Sequence, residues 1–210
     1  MCENNIVADL EKGAALFQSA QNLRKSSKDL DALYETIWER LDGKRVGKTK
    51  IADFDREDDG CSSDWIGWCW AGHGKLRGEA EQRRGTISYL VRLCGSEDVD
   101  VDQPAKPWLS QACVIVGWQW DTNKVWLIKE FEASDADVLQ YRDNGLWAYH
   151  DEDQDDFAFF YVLPLFALTS EQDIDEFILG PLQMLFPADD PAATAETALR
   201  GVPFLCPSPA

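Results

Sequence analysis

The chain has 210 residues and a formal net charge of −18, with a sequence pI near 4.3. Apolar residues make up 45% of it, including nine Trp and ten Phe, which is enough for a hydrophobic core and excludes wholesale disorder. No apolar run reaches the roughly 18 residues of a membrane-spanning helix, and the N-terminus lacks the basic and apolar regions of a secretory signal. We therefore expect a cytoplasmic protein of one domain, residues 1–210.

The N-terminal residues 1–43 are predicted to form a helical hairpin. Ser26 or Ser27 is a suitable N-cap for its second helix, and Gly43 suits the left-handed position just after the end of that helix. The first helix is expected between residues 5 and 25. Apolar residues of the second helix follow the spacing of one buried stripe: Leu30, Leu33, Tyr34, Ile37, Trp38 and Leu41.

Residues 44–168 are predicted to form a mainly antiparallel sheet of about five strands with long loops. The last predicted strand is apolar at nearly every position, which is typical of a central strand. Asp121-Thr122-Asn123 indicates a hairpin between the third and fourth strands. Runs rich in β-branched and aromatic residues mark the strands, at residues 65–70, 86–94, 112–120, 124–131 and 157–163.

The remaining residues are predicted to return to helix. Ser170 and Asp173 have the spacing of a capping arrangement, and Asp190-Pro191 reads as an N-cap followed by the first helical residue. Gly180-Pro181 is expected to interrupt the first of these helices. The fold class is therefore α+β: an N-terminal helical hairpin packed on the sheet, C-terminal helices over residues 169–202 and a Pro-rich tail over residues 203–210.

The charge is distributed unevenly along the chain. Residues 1–96 carry 15 basic and 16 acidic side chains, whereas residues 97–210 carry 5 basic and 22 acidic ones. An excess of −17 in one half repels nucleic acid and anionic membranes and attracts basic proteins. We therefore predict an acidic protein-interaction module that binds a basic partner. It would act as an inhibitor or immunity protein, as a nucleic-acid mimic or as a chaperone-like adaptor, with no direct binding to nucleic acid or membrane.

The predicted contact surface covers residues 97–156, which contain 15 acidic residues against 4 basic ones. Loop signals occur throughout this segment, and loops on a rigid scaffold commonly carry recognition. Trp108 and Trp147 lie beside such signals, so we expect them to be exposed anchors for the partner. The acidic binding residues of this prediction are Asp98, Asp100, Asp102, Asp151, Asp153, Asp155 and Asp156.

An alternative hypothesis is a cysteine-dependent hydrolase. Cys61 and Cys69 lie close in sequence to His73, which is flanked by glycines. A thiolate nucleophile needs an imidazole within hydrogen-bond reach to activate it. These three residues are therefore the candidate catalytic groups, although the Gly-rich segment does not favour the helix start that commonly activates a catalytic thiol.

No metal or cofactor signature is complete in this sequence. The six cysteines are widely spaced and include no Cys-x-x-Cys, so we expect reduced thiols rather than a zinc site or disulfides. The aspartates at 98, 100 and 102, and those at 151, 153 and 155, begin the ligand spacing of an EF-hand loop. Neither loop has the required Gly at its sixth position or the Glu at its twelfth. We predict no metal site and no cofactor, and leave open a loosely bound ion on the acidic loops.

Two stretches of the form aliphatic-Gly-Trp-x-Trp occur at residues 66–70 and 116–120. In a strand, the two indoles of each stretch would lie on the same face, since side chains alternate with a period of two. We favour an interpretation in which these rings belong to the core and the glycine allows close approach of another backbone. The alternative is an aromatic platform for a ligand.

Overall fold

A computed structural model describes residues 3–58, 69–77, 85–93, 106–109, 111–119, 139–142, 144–151 and 156–207. The chain comprises two compact units, Met1–Thr36 and Ile37–Ala210. The prediction of a single domain over residues 1–210 stays a prediction. Within the part of the chain that the structure describes, no helix combines the length and the apolar character needed to cross a bilayer.

The first element is one continuous helix, α1, Glu3–Leu41. The predicted helical hairpin is therefore wrong. Residues 22–28, where the turn was expected, contain neither Gly nor Pro, and two serines lower helix propensity by only about 0.5 kcal/mol each. The buried stripe is confirmed at Leu30, Tyr34, Ile37 and Leu41, which are spaced by four, three and four residues.

The strands follow α1 in chain order. They are β1, Arg45–Val46; β2, Thr49–Asp58; β3, Cys69–Arg77; β4, Gly85–Arg92; β5, Cys113–Gln119; β6, Leu139–Tyr141; β7, Trp147–Asp151; and β8, Asp156–Pro164. Among the described residues they form one antiparallel sheet of eight strands in the order β1-β2-β3-β4-β5-β8-β7-β6. The α+β class with an antiparallel sheet is confirmed, and the sheet is wider than the five strands expected.

Burial explains which strands are central. Every residue of β4 and β5 is buried, so both faces of the sheet are covered there. The prediction that the apolar run near residue 160 forms a central strand is confirmed, because β8 lies between β5 and β7. The expected strand 124–131 and its hairpin lie outside the described residues.

Strand β2 was not predicted from the sequence, because it is rich in charged residues, which have low β-propensity. It also contains an irregularity between Ala52 and Asp55, where the register with β3 shifts. Asp53 in this bulge has a φ of 54°, in the left-handed region that Asp tolerates better than most residues.

The C-terminal residues form a short 3₁₀ turn, Leu165–Ala167, and three helices: α2, Glu171–Ile174; α3, Gly180–Leu185; and α4, Pro191–Ala198. Both predicted caps are confirmed. The Ser170 hydroxyl accepts a hydrogen bond from the Asp173 amide, and the Asp190 carboxylate accepts one from the Ala193 amide. Each side chain thereby satisfies a backbone N–H that the helix start leaves without an intrahelical acceptor.

The helix expected to be interrupted at Gly180-Pro181 instead widens into a π-helical segment just before these residues. The chain passes from α2 to α3 through a π-helical segment, Asp175–Leu179, in which the Gly180 amide bonds to the Asp175 carbonyl. Helical geometry therefore continues through Pro181. The wider turn accommodates a proline that has no N–H to donate and whose ring collides with the carbonyl four residues earlier in an ordinary helix.

The described part of the tail, residues 203–207, docks on the sheet. The Leu205 amide donates to the Val162 carbonyl over 2.7 Å, and the Tyr141 hydroxyl lies 3.3 Å from the Cys206 sulfur. The Leu205 side chain also packs against the aromatic core cluster of β7 and β8. The tail is therefore an extended segment that covers core residues.

Candidate functional site

The acidic run 151–156 forms the connection of one β-hairpin. Asp151, the last residue of β7, lies directly opposite Asp156, the first residue of β8. Two acidic residues therefore occupy directly opposite register positions at the ends of these strands. Asp153 and Asp155, which lie between the two strand ends, are outside the described residues.

The structure describes little of the three acidic runs. Residues 97–102, with Asp98, Asp100 and Asp102, and residues 132–137 lie outside the described residues, and the run 151–156 is described only at Asp151 and Asp156. The contact surface predicted over residues 97–156 therefore stays a prediction.

The two predicted aromatic anchors are core residues, and the expectation that they are exposed is wrong. Trp108 is 1% exposed and Trp147 is 4% exposed. Their ring centroids lie 4.9 Å apart in an edge-to-face contact, and Trp147 stacks on Phe160 at 5.9 Å. Proximity to a loop in sequence misled the prediction, because antiparallel pairing of β7 with β8 turns Trp147 onto a covered face.

An exposed aromatic residue lies in a part of the sequence that is rich in acidic residues. Phe166, in the 3₁₀ turn after β8, is 83% exposed. From residue 143 to residue 207 the chain contains a single basic residue, Arg200. We call Phe166 together with the exposed acidic residues between positions 166 and 200 the acidic C-terminal layer. Its members are Phe166, Glu171, Glu176, Asp189, Asp190 and Glu196.

Arg40, which belongs to the same compact unit, pairs with acidic side chains at the start of the C-terminal helices. Its Nε donates to the Asp175 carboxylate over 2.8 Å, and its Nη1 lies 3.4 Å from Glu171. The hydrogen bond to Asp175 raises the pKa of the guanidinium. Asp175 and Glu171 are therefore paired with an internal cation and Asp190 caps α4, whereas Glu176 and Glu196 are exposed.

One buried face of the central strands carries several polar side chains beside apolar core residues such as Leu90 and Ile115. Of the buried polar side chains among the described residues, four belong to β4 and β5: Thr86, Ser88, Arg92 and Gln119. Thr86 lies opposite Gln119, Ser88 opposite Gly117 and Arg92 opposite Cys113. Directly opposite residues share a face, and residues two apart along a strand do so as well, so these side chains belong to one face of the sheet.

The geometry does not favour the cysteine-hydrolase hypothesis. Cys69 and His73 are four residues apart on β3, which separates their Cα atoms by about 13 Å and prevents a direct thiol–imidazole hydrogen bond. Cys61 is outside the described residues. Burial raises the pKa of the Cys113 thiol to about 12, a shift that the nearby Arg92 charge opposes only in part. Cys113 is therefore an unreactive structural thiol.

Of the tryptophans in the repeated motif, Trp118 is the one whose side chain the structure describes. Trp118 is 1% exposed and stacks on Phe159 at 5.6 Å, so this indole belongs to the core, as we favoured. Trp68 and Trp120 are outside the described residues. Among the described side chains, no three His, Cys, Asp or Glu residues are grouped closely enough to hold a metal ion.

Comparison with protein-family models, with curated proteins and with solved structures found no match.

Proposed function

We propose that this chain is an acidic protein-interaction module that binds a basic protein. The observation that carries the proposal is the charge distribution, 22 acidic against 5 basic residues over positions 97–210. Acidic side chains that are exposed, rather than used in internal ion pairs, produce a field that raises the association rate of a cationic partner.

The acidic C-terminal layer is the part of the described surface that best fits such a partner. Glu176 and Glu196 are exposed on helical elements of the C-terminal residues, and no Lys or Arg lies between residue 143 and Arg200. Phe166 adds an exposed aromatic ring within five residues of Glu171. An aromatic ring that is buried on binding slows dissociation, whereas surrounding charges act mainly on association.

The nucleic-acid-mimic version of this function makes an additional demand. Duplex DNA carries one charge per roughly 1.7 Å of its axis, so a mimic needs rows of carboxylates on one surface. Of the acidic runs, the described residues include only Asp151 and Asp156, and they show no long row. We therefore favour a partner that recognises a few exposed carboxylates over one that reads a long row.

The test begins with capture of partners from native lysate at low and high salt, followed by kinetics with the purified partner. We expect a basic protein whose association with the double variant Glu176→Gln, Glu196→Gln is slower at low salt, and whose dissociation from Phe166→Ala is faster. The matched control is Asp29→Asn with Glu39→Gln, which removes the same charge from exposed positions of α1. Equal association rates for the two double variants, or a captured partner that is not basic, would contradict the proposal.

A further inference from the structure

The C-terminal tail occupies a position in the sheet that β7 leaves open. Strand β7 begins at Trp147, opposite Phe160, whereas β8 continues to Pro164. On its other side β8 pairs with β5 as far as Pro164. The Leu205 amide donates to the Val162 carbonyl over 2.7 Å. The tail therefore extends the sheet beyond the start of β7, as an added peptide strand does in β-augmentation.

Two side chains of the tail have separate seats on the sheet. The Phe204 ring covers Gly145, where a Cβ would lie 2.8 Å from three of the ring carbons. The Leu205 side chain packs against the buried aromatic cluster of β7 and β8. These seats fit an aromatic residue that is directly followed by an aliphatic one. The surface that holds both side chains, which we call the tail notch, is formed by Tyr141, Gly145, Trp147 and Val162.

The turn on one side of the tail notch is held in place without help from the tail. Within it, the Arg142 amide donates to the Leu146 carbonyl, and the Arg142 carbonyl accepts from the Gly145 amide. The Asn144 side chain donates to the Ala192 carbonyl in the first turn of α4 over 2.7 Å. The notch is therefore preorganised, which lowers the free energy that a ligand loses on binding.

The tail itself is held by few polar contacts. Among the described residues, its hydrogen bonds to other elements are the one from the Leu205 amide to Val162 and the one from the Tyr141 hydroxyl to the Cys206 sulfur, which is a weak acceptor. Phe204 and Leu205 are half-buried, and Cys206 is exposed. A segment with so few buried contacts opens at a free energy below that of global unfolding.

We propose that the tail notch is a docking site for a peptide segment of a partner protein, and that residues 203–207 are its internal competitor. The partner segment is extended and carries an aromatic residue directly followed by an aliphatic one, as Phe204 and Leu205 do. One of its backbone N–H groups pairs with the Val162 carbonyl, as the Leu205 amide does in this structure. The site uses none of the residues of the acidic C-terminal layer, so it is independent of binding by that layer.

The internal tail sets the affinity that a partner segment must overcome. A short linker keeps the tail at an effective concentration on the order of millimolar beside its own notch. A separate segment of equal intrinsic affinity therefore binds the parent protein weakly. Any change that weakens docking of the tail, without altering the notch, raises the apparent affinity for the separate segment, because a larger fraction of the protein is open.

The first experiment follows amide hydrogen exchange in the full chain at neutral pH. We expect the protection factor of the Leu205 amide to be at least roughly 10²-fold lower than those of the β5 amides, because the tail opens locally. Equal protection factors would show that the tail leaves the notch only when the whole sheet unfolds. That result overturns the proposal without any variant.

The second experiment measures binding of a fluorescein-labelled peptide by fluorescence polarisation. The peptide has the sequence of residues 201–207, with Cys206→Ser to prevent oxidation. In the protein, Leu205→Asp places a charge against the aromatic cluster and should lower the dissociation constant of the peptide at least roughly tenfold. The matched control is Met184→Asp, at an exposed apolar residue of α3, which should bind as the parent does.

Both protein variants are compared with the parent by far-UV CD before binding is measured. The same peptide carrying Leu205→Asp should not bind, because it lacks the aliphatic side chain that the notch holds. Equal affinities of the parent and the Leu205→Asp protein, or binding of the substituted peptide, overturn the proposal.

A third experiment locates the bound peptide and identifies its source. In the Leu205→Asp protein, Gly145→Ala narrows the seat of the aromatic ring and should weaken peptide binding at least roughly tenfold. An unchanged affinity places the peptide on another surface and overturns the proposal. Light scattering should find the parent monomeric. A dimer that the peptide dissociates would identify a second copy of this chain as the occupant and overturn the assignment to a separate partner.

Discussion

The hydroxyl of Tyr161 in β8 donates a hydrogen bond to the carbonyl of Phe177 over 2.9 Å. Phe177 stands four residues before Pro181, which has no N–H, so this carbonyl lacks its ordinary helical donor. A side chain of the sheet thereby satisfies a backbone group that the proline leaves without one. The contact ties the π-helical segment Asp175–Leu179 to the central sheet.

Removing that hydroxyl should destabilise the protein measurably. Tyr161→Phe removes the hydroxyl donor of this part-buried carbonyl, which costs about 1–3 kcal/mol in the free energy of unfolding, measured by urea denaturation. The double variant with Pro181→Ala supplies a backbone N–H and should recover part of the loss. Tyr141→Phe, at a half-buried tyrosine, is the control and should cost less. Equal losses in Tyr161→Phe and Tyr141→Phe would show that the Phe177 contact contributes nothing.

Gly145 and Gly201 have similar backbone angles but different surroundings, so alanine at each position distinguishes the cost of backbone strain from the cost of a steric clash. Gly145 has a φ of +89° and a Cβ there would lie 2.8 Å from the Phe204 ring, whereas Gly201 has a φ of +84° and nothing within 4 Å. Alanine at either position is strained by roughly 1–3 kcal/mol. We expect Gly145→Ala to lower the melting temperature further than Gly201→Ala, and Phe204→Ala to remove the excess in a double-mutant cycle. No difference between the two glycine variants would mean that the Phe204 ring simply moves aside.

The Asp173 carboxylate makes the capping of α2 sensitive to pH. It accepts hydrogen bonds from the Thr169 hydroxyl, the Ser170 hydroxyl and the Thr169 amide, and these lower its pKa below the ordinary value of 3.8. A carboxyl with a depressed folded pKa stabilises the fold above its unfolded pKa and loses this contribution as pH falls through the folded pKa.

Asp173→Asn should therefore be less stable than the parent above about pH 4, and the difference should shrink in more acidic solution. The measurement is urea unfolding across the range from neutral to strongly acidic pH. Glu176→Gln removes one charge from the same region without touching the capping set and is the control. A difference between Asp173→Asn and the parent that stays constant with pH would mean that the carboxylate's charge is irrelevant to the cap.

The alkylation rates of Cys113 and Cys206 show whether the core strand β5 stays closed in the native state. Cys206 is exposed and should be alkylated by iodoacetamide in the folded protein near neutral pH. Cys113 is fully buried with a pKa raised to about 12, so it should react only after denaturation. Peptide mapping by mass spectrometry compares both thiols in the same sample. Modification of Cys113 at a rate close to that of Cys206 would show that β5 opens in the native state.

Local chemistry explains which elements could be predicted. The stripe from Leu30 to Leu41 and the caps at Ser170 and Asp190 depend on residues within a few positions of each other, so their spacing is readable. The continuity of α1 was not predicted, because Ser26 and Ser27 are typical of a helix start, although a long helix tolerates two serines at small cost. Strand β2 was missed because charged residues in it obscure the alternation.

The candidate sites also differ in how much of them the sequence reveals. Charge is a property of composition, so the acidic excess of the C-terminal half was evident from the sequence alone. Phe166 carried a weak signal, an aromatic residue just after a strand and beside Pro164, but its exposure could not be read from that position. The burial of Trp108 and Trp147 depends on what packs over them, and neighbouring residues in the chain say nothing about this.

The α+β class, the apolar stripe of α1, the C-terminal caps and the excess of negative charge could be predicted from the sequence, because each follows from composition or from contacts within one or two helical turns. The pairing of distant strands could be learned only from the folded structure: β8 lies between β5 and β7, Phe160 lies opposite Trp147, and both rings contact Trp108. A shift of one residue in register would move each partner to the opposite face of the sheet. That register is set by packing between strands distant in sequence, which no local pattern records.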